Sequence, residues 1–362
     1  MNTKTHRACT LGDDTVAIER SRTCRQNLRP GVGSNTTVRP RRLRGTMPTL
    51  RRRLLDLLRG QVNVHDLGPG AAVLERRGDY RITPAGPQSW LVSRGQDGQR
   101  PIVPPQGWSR VPLGPAAELL ARDDMTPRQE FALHKRAQNH LGARHVVSIL
   151  GHYRVNCVFD VGANIGQYGR QLRELGYQGR IVSFEPVPAM AEKLREVASK
   201  DPDWQVHQMA LGREDDTAEI NVVHGSMSSM LGPTDFGNTR YKRFQKTRTE
   251  QISLRRLDGL MDEALTGIEE PRPYLKMDTQ GFDLEAYAGA GKRIGEFVGL
   301  QSEVALMQIY EGMPRMAEAL AVYEADGFEV TGMYPVTREE DTGRVLEFDC
   351  VMVRAEALPK KG

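Results

Sequence analysis

The sequence predicts an α/β fold in which a doubly wound, mostly parallel sheet follows an N-terminal extension. Three observations predict it. From residue 155 onward, short apolar runs typical of strands alternate with amphipathic segments typical of helices. A glycine-containing turn, residues 160–166, joins the first of these strands to a helix. The last two strand-like runs are separated by a loop alone, which predicts that the final strand is antiparallel to the rest.

The elements are predicted in chain order from these periodicities. A long helix starts at Thr126, a capping residue that is followed by Pro127 at the first helical position. Seven runs are predicted as strands: VNCVFDVG, RIVSFEP, WQVHQMALG, PYLKMD, FVGLQSEV, FEVTGMYPV and VLEFDCVMV. Helices are predicted over residues 165–175, 189–199, 283–290 and 313–325. The alternation predicts a parallel sheet covered by helices on both faces.

The chain is predicted to have four parts. Residues 1–46 are polar and rich in Arg, Thr and Asn, so they are predicted to be a disordered tail. Residues 47–126 are predicted to be a small accessory region. Residues 127–354 are predicted to hold the sheet, and residues 355–362 a C-terminal tail.

Three segments stand out in the accessory region. Residues 50–58 (LRRRLLDLL) are predicted to form a basic amphipathic helix. One interpretation is peripheral contact with an anionic membrane surface, and the favoured one is a solvated helix packed on the domain. Residues 73–92 alternate in the manner of a hairpin or two short strands, and the Pro- and Gly-rich residues 98–115 are predicted to be loop.

Composition limits the classes of function. The net charge of +4 is small for 362 residues, so a nucleic-acid partner is permitted but not expected. The four cysteines are widely spaced, which indicates neither a zinc site nor a disulfide framework, and no Asp/Asn cluster indicates a catalytic metal. No apolar run suits a signal peptide or a spanning helix, so we expect a cytoplasmic protein. The oligomeric state stays open.

The turn at residues 160–166 (DVGANIG) predicts a nucleoside-cofactor pocket. It matches neither the GxGxxG fingerprint of dinucleotide enzymes nor the GxxxxGK[ST] loop. Asp160 at the strand end would repel a pyrophosphate but suits a cationic amino-acid group, which S-adenosyl-L-methionine carries together with a sulfonium. Glu185 closes the next strand, where a carboxylate in a doubly wound sheet can accept hydrogen bonds from ribose hydroxyls. S-adenosyl-L-methionine is therefore the expected cofactor.

The segment KMDTQGFD at residues 276–283 ends a later strand at the same edge of the sheet. Asp278 is predicted as a general base or an acceptor-orienting group; alternatively, it is a carboxylate stabilised by a helix N-terminus. Lys276 lies on the same face and is predicted to pair with Asp278 or Glu303. Glu303 is the second candidate for acceptor contact, with a structural salt bridge as the alternative. His207, within a strand, is predicted to be a packed core residue.

Several of these segments together resemble one family. VFDVGANIGQYG, IVSFEP, VHQMALG, LKMDTQGFDLEAYAGA, QSEVALMQIYEGMP and EFDCVMVR look like the FkbM methyltransferases, which transfer methyl groups from S-adenosylmethionine to hydroxyls. The resemblance covers residues 155–354. It implies a seven-stranded, Rossmann-like sheet with an antiparallel last strand. The segments are similar to those of members that act on macrolides, glycolipid sugars and other saccharides. Many members carry Glu where this chain has Gln280. Because this chain lacks a carboxylate at that position, Gln280 is given no acid or base role.

The resemblance also implies roles for individual residues. By analogy with that fold, the cofactor contacts are Gly162, Asn164 and Gly166 at the methionine end, Glu185 at the ribose, and Ala210 and Leu211 at the adenine. Residues 225–231 (GSMSSML) are expected either to close over the site or to be an ordinary loop. Tyr310 and Glu311 are expected either to border the acceptor pocket or to lie in a surface loop.

The expected activity is O-methyl transfer to a hydroxyl of a saccharide, glycolipid or polyketide-type natural product, so the expected partner is a small-molecule or glycan acceptor. A non-catalytic module that binds S-adenosylmethionine is one alternative. A methyltransferase that acts on a macromolecule is another.

Overall fold

The computed structural model describes residues 15–19, 62–68, 71–76, 80–86, 89–94, 107–112, 117–339 and 341–359. The chain divides into two compact units, Met1–Ala137 and Gln138–Gly362. The predicted helix over residues 50–58 lies outside the described residues, as does the predicted tail over residues 1–46 apart from one strand at residues 15–19.

The first unit contains two antiparallel sheets. Their strands are β1 (Thr15–Glu19), β2 (Val62–Gly68), β3 (Ala71–Arg76), β4 (Tyr80–Gly86), β5 (Ser89–Arg94), β6 (Trp108–Pro112) and β7 (Ala117–Arg122). The sheet orders are β1-β5-β4 and β2-β3-β7-β6. The strands predicted within residues 73–92 are present, and β4 pairs with β5 as a hairpin. The loop predicted over residues 98–115 is wrong at β6, which pairs with β7.

The second unit is organised around a seven-stranded sheet. Its strands are β8 (Cys157–Val161), β9 (Arg180–Phe184), β10 (Trp204–His207), β14 (Pro273–Met277), β15 (Gly299–Ala305), β16 (Glu329–Arg338) and β17 (Val345–Val353). Their order is β10-β9-β8-β14-β15-β17-β16. β17 runs antiparallel to the other six strands of this sheet. The predicted fold, including the antiparallel last strand, is confirmed.

Helices connect and cover these strands. They are α1 (Pro127–His152), α2 (Gln167–Glu174), α3 (Pro188–Ala198), α4 (Asp235–Arg240), α5 (Met261–Leu265), α6 (Asp283–Ala288) and α7 (Met316–Ala325). The predicted cap of α1 is present, because the Thr126 hydroxyl accepts a hydrogen bond from the Gln129 amide at 3.4 Å. Residues Ala355–Ala357 form a short 3-10 helix within the predicted C-terminal tail.

The run WQVHQMALG, predicted as one strand, is two. The chain leaves the main sheet after β10, and β11 (Ala210–Leu211) joins a separate sheet of order β11-β13-β12 with β12 (Asp216–Val222) and β13 (Arg248–Arg255). The sequence analysis missed β12 and β13. Their outer faces are polar and exposed, so their apolar alternation is weak over DTAEINV and RTEQISLR.

Apolar clusters bury the central strands of the main sheet on both faces. Phe159, Leu275 and Leu300 belong to one cluster, whereas Val158 and Tyr274 belong to the other. Burial on both faces is the usual condition of a parallel sheet. Because β8, β9 and β14 are parallel, their carboxyl ends share one edge. The turn at residues 160–166, Glu185 and Asp278 follow these strands and therefore meet there.

Candidate active site

A cavity of about 550 Å³ opens at the carboxyl ends of β8, β9 and β14. Its volume is that of a small-molecule site. Most of the predicted site residues line it: Gly162, Asn164, Glu185, Ala210, Leu211, Lys276 and Asp278. Asp160, Gly166 and Glu303 do not line the cavity and lie behind its wall.

Gly162 brings the turn after β8 against the end of β14. It has a φ of 76°, and a Cβ at this position would lie 2.0 Å from the carbonyl oxygen of Asp278. Only glycine fits this approach. Gly166 has a different role, because a Cβ there would lie 2.9 Å from Cδ1 of Leu194 on α3. Gly166 therefore allows close packing of α2 and is not in the cavity wall.

Glu185 ties the end of β9 to the turn. Its Oε2 accepts a hydrogen bond from the Asn164 backbone amide at 2.8 Å, and its Oε1 accepts one from the Val187 amide at 2.9 Å. Burial raises the pKa of Glu185 to about 7. We call Gly162, Asn164 and Glu185 the turn end of the cavity. Beyond Glu185 the wall is apolar, with Met190, Met209, Ala210, Leu211 and Ile220.

Asp160 and Lys276 form a buried ion pair, of which Lys276 lines the cavity and Asp160 does not. Lys276 Nζ lies 2.9 Å from Asp160 Oδ1 and 3.9 Å from Asp278 Oδ2. The two residues meet because they are register partners on β8 and β14. Burial alone would lower the pKa of Lys276, but Asp160 and Asp278 outweigh it and the pKa is raised. Lys276 also lies over the ring of Tyr168, 5.2 Å from its centroid. The alternative pairing predicted for Lys276, with Glu303, is absent; Asp160 is its main partner.

Asp278 and Glu303 are close together but differently placed. The Asp278 side chain is 42% exposed and lines the cavity. Glu303 is partly buried, and burial together with the neighbouring carboxylates raises its pKa well above the usual value. The amide nitrogen of Gln280 joins them, because it donates hydrogen bonds to Asp278 Oδ1 at 2.8 Å and to Glu303 Oε2 at 2.9 Å.

Two further acids come from β17 and were missed by the sequence analysis. In the antiparallel register, Asp349 faces Glu303 across the strands, and Glu347 faces Ala305. Burial raises the pKa of Glu347 to about 7 and that of Asp349 to about 6. Acids in the buried run VLEFDCVMV were the available signal. We call Asp278, Glu303, Glu347 and Asp349 the acid end.

The segment 225–231 lies along the cavity, and Ser226, Ser228 and Met230 line it. The Asn164 side chain donates to the carbonyl of Gly225 at 3.4 Å, and the Ser229 hydroxyl donates to the carbonyl of Gln280 at 2.7 Å. These contacts anchor the segment to both ends of the cavity.

The remaining predicted positions have clear surroundings. Tyr310 is buried, with its hydroxyl 3.0 Å from Gln280 Oε1, whereas Glu311 is exposed. His207 stacks on Phe184 with 5.3 Å between ring centroids, and burial lowers the pKa of His207. This placement matches a packed histidine.

Among the described residues, no group of three or more His, Cys, Asp and Glu side chains has the arrangement of a metal site. In the same part of the chain, no helix is long and apolar enough to cross a membrane.

The sequence profile of the family described as "Methyltransferase FkbM domain" matches residues 160–329. These residues are an FkbM methyltransferase domain. The match includes the turn end together with Asp278 and Glu303, and it stops before Glu347 and Asp349 on β17. S-adenosyl-L-methionine is the cofactor of this domain.

A curated relative and two solved structures add context. The 2-O-methyltransferase NoeI of Sinorhizobium fredii (strain NBRC 101917 / NGR234) is 22% identical over 191 residues, which cover 51% of this chain and 76% of that protein. Fibrillarin of Aeropyrum pernix has a TM-score of 0.35 at 12% identity, over 81% of this chain and 98% of that one. The magnesium protoporphyrin IX methyltransferase of Synechocystis PCC 6803 has a TM-score of 0.34 at 13% identity, over 62% and 83%. Neither structural likeness is close enough to bear on function.

Proposed function

We propose that the protein is an O-methyltransferase that acts on a hydroxyl of a saccharide, glycolipid or polyketide-type natural product. The observation that carries the proposal is the exposed carboxylate of Asp278 in the wall of a cavity within an FkbM methyltransferase domain. The name of the curated relative, a 2-O-methyltransferase, supports transfer to oxygen.

The cavity residues fit the cofactor. The Glu185 carboxylate would accept hydrogen bonds from ribose hydroxyls, since each of its oxygens uses one lone pair on a backbone amide and keeps another. The apolar wall around Ala210 and Leu211 would hold the adenine. Gly162 and Asn164 would lie beside the methionine end. Asp160 would act indirectly, by fixing Lys276 in the cavity wall.

The bound cofactor supplies an electrophilic methyl group. A hydroxyl is a weak nucleophile, so a carboxylate within hydrogen-bond reach assists by taking its proton as the new bond forms. Asp278 would take this role, because it lines the cavity and its side chain is accessible. Lys276 Nζ lies 3.9 Å from Asp278 Oδ2 and places a positive charge beside the cavity wall. Glu303 is a weaker candidate for the base, since it lies behind Gln280 and its raised pKa favours the neutral acid.

The test compares Asp278→Asn with Glu303→Gln. Methyl-labelled S-adenosylmethionine is incubated with the protein and with cell-extract fractions separated into small molecules, glycolipids, proteins and nucleic acids. We expect label in the small-molecule or glycolipid fraction. Asp278→Asn should lower the rate about 10²- to 10⁴-fold. Its affinity for the cofactor, measured by calorimetry, should change little. Glu303→Gln should keep most of the rate.

Other outcomes would identify the alternatives. Cofactor binding without label in any fraction would indicate a non-catalytic module. Label in protein or nucleic acid would indicate a macromolecular acceptor. Full activity of Asp278→Asn together with loss in Glu303→Gln would transfer the base role to Glu303.

A further inference from the structure

Gln280 occupies a central position that the proposed chemistry does not use. Both hydrogens of its side-chain amide are engaged, one by Asp278 Oδ1 and one by Glu303 Oε2. Its Oε1 lies 3.0 Å from the hydroxyl of Tyr310. The orientation of the amide is thereby fixed, because a flipped amide would direct its oxygen at two carboxyl groups.

The backbone conformation of Gln280 is unusual and is stabilised by a hydrogen bond. It is left-handed, with a φ of 55°, a conformation that costs a non-glycine residue about 1 kcal/mol or more. Its carbonyl accepts the Ser229 hydroxyl at 2.7 Å. The segment 225–231 therefore stabilises a strained backbone that aims the side chain between Asp278 and Glu303. Such strain is typical of functional sites.

The titratable groups around this amide are mostly acidic. Asp278 follows β14, Glu303 comes from β15, and Glu347 and Asp349 come from β17. Asp283 on α6 is also buried nearby, where it accepts hydrogen bonds from Thr279 and Ser302. The facing cation is Lys276, whose closest partner is Asp160. Other titratable side chains also surround these acids. Tyr241 and Tyr310 interact with Glu303 and Glu347, and Tyr323 interacts with Asp283. Asp349 has Tyr168, Tyr274 and Cys350 as neighbours. A neutral double donor suits this location, since it stabilises two carboxyl groups without adding charge.

We propose that Gln280 is a positioning residue, whose amide holds the Asp278 carboxylate at the cavity wall and keeps it apart from Glu303. The inference rests on the proposed function, because it assumes that Asp278 is the base. A glutamate here would place a third carboxyl group within hydrogen-bond distance of two others. The protein would then have to retain an extra proton at this location.

The first test is the pH dependence of methyl transfer to the acceptor found in the labelled fractions. Gln280→Glu should move the acidic limb of the kcat/KM profile upward by about one pH unit, since ionisation of the shared acids becomes costlier. Its kcat at about pH 7 should fall roughly tenfold. Gln280→Met, which loses both donors, should also lower kcat. The KM for S-adenosylmethionine should stay within about twofold in both variants.

The second test needs no acceptor. Thermal unfolding of the ligand-free variants is followed between about pH 5 and about pH 8. The added acid is favoured in its neutral form when folded, so Gln280→Glu should match the unmodified protein at low pH and lose stability as pH rises. The control is Gln251→Glu, in which an exposed amide that donates to Glu219 at 2.9 Å undergoes the same change. That variant should show little pH dependence.

The outcomes separate the two proposals. If no fraction is methylated but Gln280→Glu shows the pH-dependent loss of stability, the proposed function fails. The positioning role then fails with it, although the placement of Gln280 between acids stands. If methylation occurs and Gln280→Glu or Gln280→Met keeps the original pH profile and kcat, the positioning role is wrong and the proposed function survives. A change in Tm without a change in the pH profile indicates a purely structural glutamine.

Discussion

The turn end and the acid end of the cavity are assembled differently. The turn end comes from one βαβ unit, and Gly162, Asn164 and Glu185 are tied to one another by local contacts across β8 and β9. The acid end comes from a second βαβ unit, β14–α6–β15, and from β17, which follows later in the chain. Local segments can therefore specify the turn end and bring Asp278 near Glu303, whereas Glu347 and Asp349 join them only through the insertion of β17 beside β15.

The two ends also differ in how charge is compensated. Beneath the turn end, Asp160 is fully buried and has Lys276 at 2.9 Å. At the acid end, Glu303 and Glu347 have raised pKa values because burial disfavours their charged forms. Lys276 is the link between the two, since it also lies 3.9 Å from Asp278. Variants at this link and on each side of it test whether the two ends are independent.

The largest effect is expected for Lys276→Met. It leaves the fully buried Asp160 without its cation, which should cost about 3–5 kcal/mol of unfolding free energy. Chemical denaturation measures the loss, and adding Asp160→Asn should recover part of it. Lys292→Met, at an exposed lysine, is the control and should stay within about 0.5 kcal/mol. A loss below about 1 kcal/mol in Lys276→Met would mean that the ion pair does not hold the two ends together.

The next effect is expected for Gly162→Ala. The new Cβ would clash with the carbonyl of Asp278, so the turn and the end of β14 must separate, at a cost of about 2–4 kcal/mol. Gly267→Ala is a matched control, because Gly267 has a φ of 77° with open space around it. It should lose only about 1 kcal/mol. Equal losses in the two variants, measured by denaturation, would show that the close approach is unimportant.

A smaller effect is expected from the titration of Glu185. Its pKa of about 7 in the folded protein is above its usual value, so the folded state retains this proton and loses stability as pH rises from about 4.5 to about 7. Ribose hydroxyls favour the ionised carboxylate, so the Kd for S-adenosylmethionine should fall about tenfold between about pH 6 and about pH 8. Glu185→Gln should make the Kd measured by calorimetry independent of pH over this range. An unchanged dependence would remove Glu185 from the ligand contacts.

The sequence predicted the turn end well because its signals are local. A glycine turn after an apolar strand and Glu185 after the next strand lie within one βαβ unit, and the structure places both at one sheet edge. Sequence also located Asp278, at the end of a third strand. It did not reveal that Asp160 is covered by Lys276, because that pairing depends on the register of β8 with β14.

Long-range and half-exposed elements were harder to predict. Glu347 and Asp349 face the site only because β17 inserts beside β15. Gln280 was passed over as a neutral residue, although its amide joins two candidate acids. The break between β10 and β11 has no Gly or Pro to mark it, so WQVHQMALG reads as one strand. The division of the chain into parts, the cytoplasmic location and the roles of single residues stay predictions.

The position of β17 has a consequence for synthesis. This strand follows both of its neighbours, β15 and β16, in the sequence, yet it lies between them. Until it emerges from the ribosome, β15 presents an unpaired edge, which is a template for mispairing with other chains. Glu347 and Asp349, two of the four residues of the acid end, lie on this strand. A nascent chain can therefore complete the glycine turn early, but its acid end is complete only when β17 has paired with β15.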